Sequence, residues 1–593
     1  MQYTCRIVGM EMLCAITPDR DLHLPVLCCS GMAPLEPVSG GDSIRSLGSY
    51  VEIALPDLKA GQVHEVVIKY SGGFKPANRA WMPLGPYLRC DKEVISLPPT
   101  PAGRHLASKA KPVAVEGLAL VPQPTSWIPS GGSLAADGFS SDDPALATVA
   151  DLADRQGMAF RGSHRVTTVA ADLPEDAYEI DISDDGVRIA AGSYGGRFYA
   201  GITLLTLLQH GPLPKGCITD APRFDWRGQH LDTARHFYQM PTILLLLDLM
   251  AMLKLNRFHW HFADDEAFRL EITSVPELWQ KTALRGEGQT LPGMFNGQPV
   301  EGGSYSKEDA RQVIAHAKAL NIEVMPEIEA PAHALAITTI FPETRDPADN
   351  GAEQSVQGYR GNALNPAQPK TWKILEAVTR EVGDLFPFNH LHLGCDELPE
   401  DTWMGSPMAR ALMAEHGLET TKDLQSWTIS RLAAIAQANG QRPAAWEEAA
   451  QGAGGGIGHD AILFSWTGQG PGLDAARAGY DVVMTPAQHV YMDMAHTDDP
   501  DDWGASWAAF VDTADTVNWD PVPDPALADR IIGVQGAFWS EFTTQDEQLW
   551  PMLMPRILGV SAMAWQEQPP AQDHFLDLTT HYGLDQQGRM WLG

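Results

Sequence analysis

The sequence predicts an α/β protein built around a (β/α)₈ barrel, or TIM barrel, with two smaller domains in front of it. Two observations predict this class. The chain has 593 residues, which is too long for one hydrophobic core. Strand patterns fill the first part of the chain, whereas short apolar strands alternate with helical patterns from about residue 225 onward. We therefore predict an all-β sandwich-like domain at 1–112, an α+β domain at 113–220 and the barrel at 221–593.

The first predicted domain has the alternation that is typical of half-buried strands. Tyr50–Leu58 (YVEIALPDL) and His64–Gly73 (HEVVIKYSGG) alternate apolar and polar residues and end at Pro or Gly. The region shows no cluster of chemically active side chains. A structural sandwich is therefore favoured over a sugar-binding module.

The second predicted domain combines a hairpin with a helix. Ala177–Ser193 contains two alternating strands joined by Asp-Asp-Gly, a hairpin signal. Gly195–Gly211 follows with helical apolar spacing and a terminal Gly. This order predicts an α+β unit.

The third predicted domain supplies eight strand patterns with helices between several of them. The stretch from Ser306 to Asp309 (SKED) predicts the start of a helix with a capping-box-like pattern. The eight strands are Gly228–Thr233, Arg257–Phe262, Ile322–Ile328, His390–Cys395, Arg442–Trp446, Ala461–Trp466, Asp481–Pro486 and Ile532–Trp539. In a (β/α)₈ barrel the chemistry lies at the carboxyl ends of the strands, so we expect the functional residues at those positions.

Charge and cysteine content exclude several classes of protein. The net charge of −33 argues against nucleic acid or an anionic membrane as a partner, because both require a basic surface. Seven cysteines without a Cys-x-x-Cys pair favour free thiols in a reducing compartment. The N-terminus is a poor signal peptide, which predicts a cytoplasmic protein, or a periplasmic or secreted one if a leader was removed.

The strand ends carry aromatic and acidic residues in a pattern that suits a sugar. Aromatic rings cover the apolar faces of a pyranose, and carboxylates and arginine bind its hydroxyls. The aromatic candidates at strand ends are Trp446, Trp466 and Trp539. The polar candidates are Asp493 and Glu541, which follow strands, and Arg227, through which the first strand is entered. This set predicts a pocket that surrounds one sugar ring.

The fourth predicted strand ends in an adjacent carboxylate pair, Asp396 and Glu397. Glycosidases usually place two carboxylates across the scissile bond, which neighbours in sequence do not easily do. A substrate with a 2-acetamido group removes the difficulty, because its carbonyl oxygen can attack the anomeric carbon. Glu397 would then protonate the leaving oxygen, while Asp396 would orient the acetamide.

These motifs resemble the β-N-acetylhexosaminidases of glycoside hydrolase family 20. The family hallmark His-x-Gly-Gly-Asp-Glu stands here as His392-Leu-Gly-Cys-Asp-Glu397. Arg227–Phe237, Leu255–Ile272 and Pro326–Ala334 resemble the family's motifs on its first three strands, and residues 113–220 resemble its usual α+β domain. The resemblance covers about residues 113–593.

The resemblance implies a retaining exo-β-N-acetylhexosaminidase that acts on terminal β-linked GlcNAc or GalNAc through an oxazolinium intermediate. Glu397 would be the general acid/base and Asp396 the residue that orients the acetamide, with Tyr491 on the acetamide oxygen. Asp264 and His333 would support Glu397, and Asp265 would be structural. The tryptophans would wall the pocket, and Arg227, Asp493 and Glu541 would bind ring hydroxyls. No cofactor or metal is expected, and an oligosaccharide is the expected partner, with a homodimer left open.

One departure from the hallmark and two rival functions accompany this prediction. Cys395 replaces the second Gly of the hallmark, and we interpret it as a packing substitution. The first rival is a metal-dependent amidohydrolase that uses His259, His261, His333 and Asp493 as ligands. The second is a glycan-binding protein without catalytic activity.

Overall fold

The computed structural model describes residues 1–91, 93–101, 111–293, 298–348, 361–452, 454–585 and 587–592. The N-terminal part folds into two antiparallel sheets whose inner faces share one core, which is a sandwich. Along the strand Glu11–Thr17 every second side chain is buried, so the alternation of side chains along the strand supplies this core. One sheet contains Gln2–Val8, Glu11–Thr17, His64–Tyr70 and Leu35–Ser39; the other contains Asp42–Leu47, Tyr50–Ala54, Val26–Ser30, Tyr87–Cys90 and Glu93–Ser96.

The middle part is a mixed sheet with two helices, one of which, Tyr194–Gln209, is the helix predicted at Gly195–Gly211. The predicted hairpin is present as Tyr178–Ser183 and Gly186–Ala191. The strands, in spatial order, are Ser126–Leu134, Leu213–Asp220, Tyr178–Ser183, Gly186–Ala191, His164–Ala170 and Phe139–Ser140, and the helices are Pro144–Gln156 and Tyr194–Gln209.

The C-terminal part contains a closed parallel barrel of eight strands within the described residues, which confirms the predicted fold class. The strands are Trp226–Asp232, Arg257–His261, Glu323–Glu327, His390–His392, Arg442–Trp446, Ile462–Ser465, Asp481–Met484 and Ile531–Gly536. Each of these strands begins within two residues of its predicted first residue. The strands are almost fully buried because side chains fill the barrel inside and helices cover it outside.

Helices cover most of the barrel's outer face. The predicted Ser306 start is a capping box, in which Ser306 and Asp309 satisfy each other's backbone N–H groups. Between the fifth and sixth strands the described residues contain only a 3₁₀ turn, Glu447–Ala450. The α-helices are Met240–Met252, Pro276–Thr282, Lys307–Ala319, Leu335–Ile340, Pro369–Leu385, Pro407–His416, Thr421–Ala438, Gln469–Arg477, Ala487–Val490, Leu549–Leu553, Arg556–Trp565 and Gln572–Thr579.

Short hairpins complete the barrel domain. They pair Ala263–Asp264 with Ala267–Phe268, Leu284–Gly286 with Val300–Gly302, and Tyr582–Leu584 with Met590–Leu592. Among the helices of the described ranges, none combines the length and the apolar composition needed to cross a membrane.

Candidate active site

A cavity of about 230 Å³ lies at the carboxyl ends of the barrel strands, where a barrel of this kind carries its chemistry. It brings together residues from the first, third, fourth, fifth, sixth, seventh and eighth strands or the loops that follow them. The predicted residues that line it are His333, Asp396, Glu397, Trp446, Trp466, Tyr491, Asp493, Trp539 and Glu541. Nine of the eleven predicted site residues therefore meet at one cavity among the described residues.

The loop after the fourth strand turns the carboxylate pair toward the cavity. The strand ends at His392, and Gly394, Cys395 and Glu397 then adopt φ values of 71°, 84° and 52°. A Cβ at Gly394 would lie 1.8 Å from a carboxylate oxygen of Glu329, so only glycine fits there. This left-handed backbone lets two neighbouring side chains face the same cavity.

Asp396 and Glu397 differ in their exposure to solvent. The Asp396 side chain is 10% exposed and that of Glu397 is 34% exposed. His333 Nε2 lies 3.6 Å from Asp396 Oδ2 and 3.2 Å from Glu397 Oε2. One oxygen of each carboxylate and the imidazole nitrogen lie within 4.8 Å of one another. The pair is therefore a single group of charges beside one imidazole, with Asp396 inside and Glu397 toward the opening.

A buried chain of alternating charges supports Glu397. His333 Nδ1 lies 3.1 Å from Asp264 Oδ1, and Arg235 Nη2 lies 2.9 Å from Asp264 Oδ2. Burial alone would raise the pKa of Asp264, but Arg235 and His333 hold it well below its usual range. Burial would lower the pKa of His333, yet Asp264 and Asp396 raise it well above the ordinary value. Asp264 lies behind the cavity and holds the imidazole that reaches Glu397.

Burial makes ionisation of Asp396 costly. It raises the pKa of Asp396 to about 6, with His333 opposing the shift and Glu397 adding to it. The neighbouring Glu329 is also buried, and its pKa is raised well above the usual value by burial and by Asp396. Oδ1 of Asp396 has no hydrogen-bond partner within the described residues. A buried carboxylate oxygen without a partner at a cavity is suited to bind a donor on a ligand.

Aromatic rings form the walls of the cavity. Trp446 is fully buried and lies 5.8 Å from Trp539 between ring centroids. Trp466 stacks on Tyr491 at 6.4 Å with 12° between the ring planes. Glu448 accepts a hydrogen bond from the Trp466 indole at 3.0 Å, which fixes the ring's orientation. The walls present flat apolar faces of the kind that pack against the C–H faces of a pyranose.

Three further charged residues line the cavity besides His333 and the carboxylate pair: Arg235, Asp493 and Glu541. Burial and the nearby Glu541 raise the pKa of Asp493 well above the usual value. Burial raises the pKa of Glu541 to about 7, with Arg235 opposing the shift. Oδ1 of Asp493 and Nε1 of Trp446 lack hydrogen-bond partners among the described residues. These buried groups are arranged for a ligand with several hydroxyls.

The protein-family model described as "Glycosyl hydrolase family 20, catalytic domain" matches residues 224–568 of the sequence, which is more than half of the chain. The chain belongs to glycoside hydrolase family 20. The family's domain 2 matches residues 118–221. The predictions of this family and of a glycoside hydrolase are thereby confirmed.

Relatives and solved structures agree with the assignment to family 20. A β-hexosaminidase from Vibrio furnissii is 36% identical over 67% of this chain and 67% of its own length. Another from Vibrio vulnificus is 30% identical over 70% of this chain but only 57% of its own. A crystal structure of a Vibrio harveyi exo-β-N-acetylglucosaminidase with N-acetylglucosamine has a TM-score of 0.85, 27% identity and 98% coverage of both chains.

The structure corrects the prediction for Arg227. This residue lies at the start of the first strand, at the opposite end of the barrel from the cavity. Its side chain is 1% exposed and donates hydrogen bonds to Asp176 at 2.8 Å and to Tyr199 at 3.1 Å. Arg227 therefore joins the barrel to the middle domain. Arg235 of the same sequence motif lines the cavity instead, because it follows the end of that strand.

The sequence reasoning also missed Met32, Ala505, Trp507 and Phe542, which line the cavity. Phe542 directly follows the predicted Glu541, so the end of the eighth strand was a usable signal for it. Ala505 and Trp507 lie in the long segment after the seventh strand, where no periodic pattern fixes a position. Met32 comes from the first domain, and a contact so distant in sequence leaves no local signal.

The histidines of the amidohydrolase hypothesis do not meet at the cavity. His333 and Asp493 line it, whereas His259 and His261 lie inside the barrel around Glu327. Glu327 lies 2.5 Å from His261 Nδ1, 3.0 Å from His259 Nε2 and 2.6 Å from His392 Nδ1. These are hydrogen-bond distances, and a metal ion between the atoms would need them to separate. The donor set therefore fits a buried ion-pair cluster, and the predicted ligand set is not assembled.

Proposed function

We propose that this family 20 protein is a retaining exo-β-N-acetylhexosaminidase that removes terminal β-linked GlcNAc or GalNAc from oligosaccharides. The cavity has room for one sugar ring, which agrees with removal of one terminal unit. Trp446, Trp466 and Trp539 pack against the ring. The related β-hexosaminidase from Vibrio furnissii and the N-acetylglucosamine in the Vibrio harveyi structure support the choice of sugar.

Polar residues of the cavity hold the hydroxyls of the ring. Arg235 donates to ring oxygens, whereas Asp493 and Glu541 exchange hydrogen bonds with hydroxyls that can donate or accept. The ring is thus bound from both faces and along its rim. Binding of this kind places the anomeric carbon and the acetamide in a fixed orientation beside the carboxylate pair.

In the first step the acetamide carbonyl oxygen attacks the anomeric carbon as the glycosidic bond breaks. Glu397 donates its proton to the leaving oxygen. Asp396 accepts a hydrogen bond from the acetamide N–H and stabilises the positive charge of the oxazolinium ion that forms. Tyr491 donates to the acetamide oxygen.

In the second step water opens the oxazolinium ion. Glu397, now a carboxylate, accepts a proton from the water, and the carbon–oxygen bond to the acetamide breaks. Two displacements at the same carbon give net retention of the β configuration. His333, held by Asp264, stabilises the carboxylate form of Glu397 between the two steps.

The geometry of the carboxylate pair carries this proposal. Oxygens of Asp396 and Glu397 lie within 4.8 Å of each other and of the same imidazole nitrogen. An inverting pair stands about 6.5–9.5 Å apart across the bond, and a retaining pair with an enzyme nucleophile flanks it from two sides. Because Asp396 and Glu397 are neighbours in the chain and both contact the same imidazole, we infer that they lie on one side of the bond and that the substrate supplies the nucleophile.

The proposal is tested with Glu397→Gln on chitobiose and on a 4-nitrophenyl N-acetylglucosaminide. We expect kcat/KM for chitobiose to fall by about 10²–10⁴-fold, because its leaving oxygen requires a proton, and to fall less for the activated aryl glycoside. Glu400→Gln is the matched control, since Glu400 is exposed three residues away. Wild-type turnover by Glu397→Gln, or sugar binding without turnover by the wild type, would refute the proposal; the second result would favour the glycan-binding alternative.

A further inference from the structure

The N-terminal sandwich reaches the cavity of the barrel. Of the described residues that line this cavity, Met32 alone comes from the first domain, in the segment between the strands Val26–Ser30 and Leu35–Ser39. Met32 is half-buried and packs against the large core shared by the middle and barrel domains. The proposed chemistry uses no residue of this domain, so the position of Met32 in the wall indicates a role outside that chemistry.

Hydrogen bonds and close packing hold Met32 in place. Its backbone N–H donates to the Tyr70 hydroxyl at 3.2 Å, and that hydroxyl donates to the carbonyl of Trp81. A Cβ on Gly31 would lie 2.8 Å from the same hydroxyl, so the chain passes close to Tyr70. The Trp81 ring in turn lies 6.2 Å from Phe542, another residue of the cavity wall. Met32 is therefore a fixed part of the wall.

The same domain is attached to the barrel loop that completes the opening of the cavity. Arg79 donates to Asp501 Oδ1 at 2.9 and 3.0 Å. Asn78 is fully buried and donates to the Gly504 carbonyl at 3.1 Å. Gly504 is followed by Ala505 and then by Trp507, both of which line the cavity. These contacts fix the sandwich domain against the loop beside the opening.

Solvent exposure distinguishes the deep wall of the cavity from the part that solvent reaches. The deep wall is buried, as at Trp446 and Asp493. The partly exposed residues of the wall are Glu397, Trp507, which is 52% exposed, and the half-buried Met32, Trp466, Trp539 and Glu541. In the proposed mechanism Glu397 serves the leaving oxygen, and Trp466, Trp539 and Glu541 bind the ring that is cleaved off, which leaves Met32 and Trp507 for the leaving group. A thioether is polarisable and adapts to the apolar face of a second sugar.

We propose that Met32 determines specificity for the leaving group, and that the sandwich domain thereby selects glycosides whose leaving group is itself a pyranose. The inference rests on the proposed hexosaminidase function. Met32 contacts the apolar face of the leaving sugar, whereas the barrel residues alone bind the ring that is cleaved off. A leaving group too small to reach Met32 gains nothing from it.

The test compares kcat/KM for chitobiose with kcat/KM for methyl N-acetyl-β-glucosaminide in the full-length enzyme. Met32→Ala is expected to lower the chitobiose-to-methyl ratio by about five- to tenfold, the effect of losing one apolar side-chain contact. Met10→Ala is the matched control, because Met10 is a methionine of the same domain that is 45% exposed. Met32→Leu, which keeps the volume and apolar character, is expected to retain the ratio.

Each outcome bears on one of the two proposals. An unchanged ratio in Met32→Ala overturns the role of Met32 in specificity, and so does an equal fall for both substrates, which indicates a structural effect. Thermal unfolding of Met32→Ala and Met32→Leu separates instability from specificity, since a structural role would lower the melting temperature without changing the ratio. Failure of the wild type to cleave either glycoside refutes the hexosaminidase function itself.

Discussion

At the scale of single residues, the ionised form of Asp396 is needed for activity but lowers the stability of the fold. Its buried carboxyl group has a pKa of about 6, above the value of about 3.9 for an unfolded chain. The native state thus binds this proton more tightly than the unfolded state does, and ionisation destabilises the fold as pH rises from about 4 through 6. The charge that binds the acetamide is a cost to folding.

Asp396→Asn should therefore be more stable than the wild type at pH 7, by at most about 3 kcal/mol, and equally stable near pH 4. Denaturant unfolding at both pH values measures this difference. Asp401→Asn is the control, because Asp401 is exposed on the same loop and should show no such dependence on pH. A lower stability of Asp396→Asn at pH 7 would contradict the assignment.

The same protonation sets the acid side of the activity profile. Asp396 stabilises the positive charge of the oxazolinium ion only when it is ionised, so kcat/KM should fall as pH drops below about 6. Asp396→Asn should lose about 10²-fold or more in kcat/KM at pH 7 and should lose this acid limb. An unchanged limb in the variant would assign it to another group.

Sequence and structure differ at the residue scale for a clear physical reason. Trp446, Trp466 and Trp539 were predicted because each ends a strand, and a strand end has a defined place in a barrel. Arg227 was predicted as a polar group of the sugar pocket although it precedes the first predicted strand, so the rule about carboxyl ends excludes it. Arg235, eight residues later, satisfies the rule.

The loop after the fourth strand is the element on which the site depends. Cys395 has a φ of 84°, is fully buried, and lies 3.4 Å from the Gln425 amide through its sulfur. Burial raises the pKa of its thiol, so the sulfur is a packing group rather than a nucleophile. A non-glycine residue in this conformation is strained, and the surrounding core holds it there.

Two substitutions at Cys395 distinguish the contribution of its backbone conformation from that of its side chain. Cys395→Gly should keep kcat/KM within about threefold, since glycine relieves strain of about 1 kcal/mol while losing a small buried side chain. Cys395→Val should lower stability by about 2 kcal/mol or more and reduce kcat/KM at least tenfold, because a β-branched residue resists a positive φ. Equal activity of the two variants would show that the loop conformation is not required.

Elements with strong periodicity were predictable, and their ends were less so. The eight barrel strands were found because apolar runs alternate with helices, and the Ser306 cap because its pattern is local. The predicted fourth strand extends to Cys395, whereas the structure ends it at His392. The three residues that follow include two in left-handed conformations, which apolar composition does not reveal.

At the scale of the whole molecule, buried polar contacts join the three domains. Arg227 and Asp176 link the barrel to the middle domain, and Asn78 and Gly504, 426 residues apart, link the sandwich to the barrel. Such contacts arise from residues that look ordinary in sequence, and their partners are set only by the folded chain. This explains why the contribution of Met32 could not be predicted. The homodimer and the cytoplasmic location stay predictions.

Arg227→Met should destabilise the protein without impairing the chemistry. Removing Arg227 leaves the Asp176 carboxylate buried without its cationic partner, at an expected cost of about 3–5 kcal/mol in the free energy of unfolding. Adding Asp176→Asn should recover part of that loss. Denaturant unfolding and kcat/KM of the folded fraction measure the two effects. A large loss of kcat/KM at unchanged stability would contradict this structural role and would indicate that Arg227 acts in substrate binding.

The claim that the substrate supplies its own nucleophile is tested most directly with aryl glycosides whose acetamide carries zero, one, two or three fluorine atoms. Each fluorine withdraws electrons from the carbonyl oxygen and weakens it as a nucleophile, while the leaving group stays the same. We predict that kcat/KM of the wild-type enzyme falls progressively along this series. Values that stay constant from acetamide to trifluoroacetamide would mean that an enzyme side chain attacks the sugar, which would contradict the roles of Asp396 and Glu397.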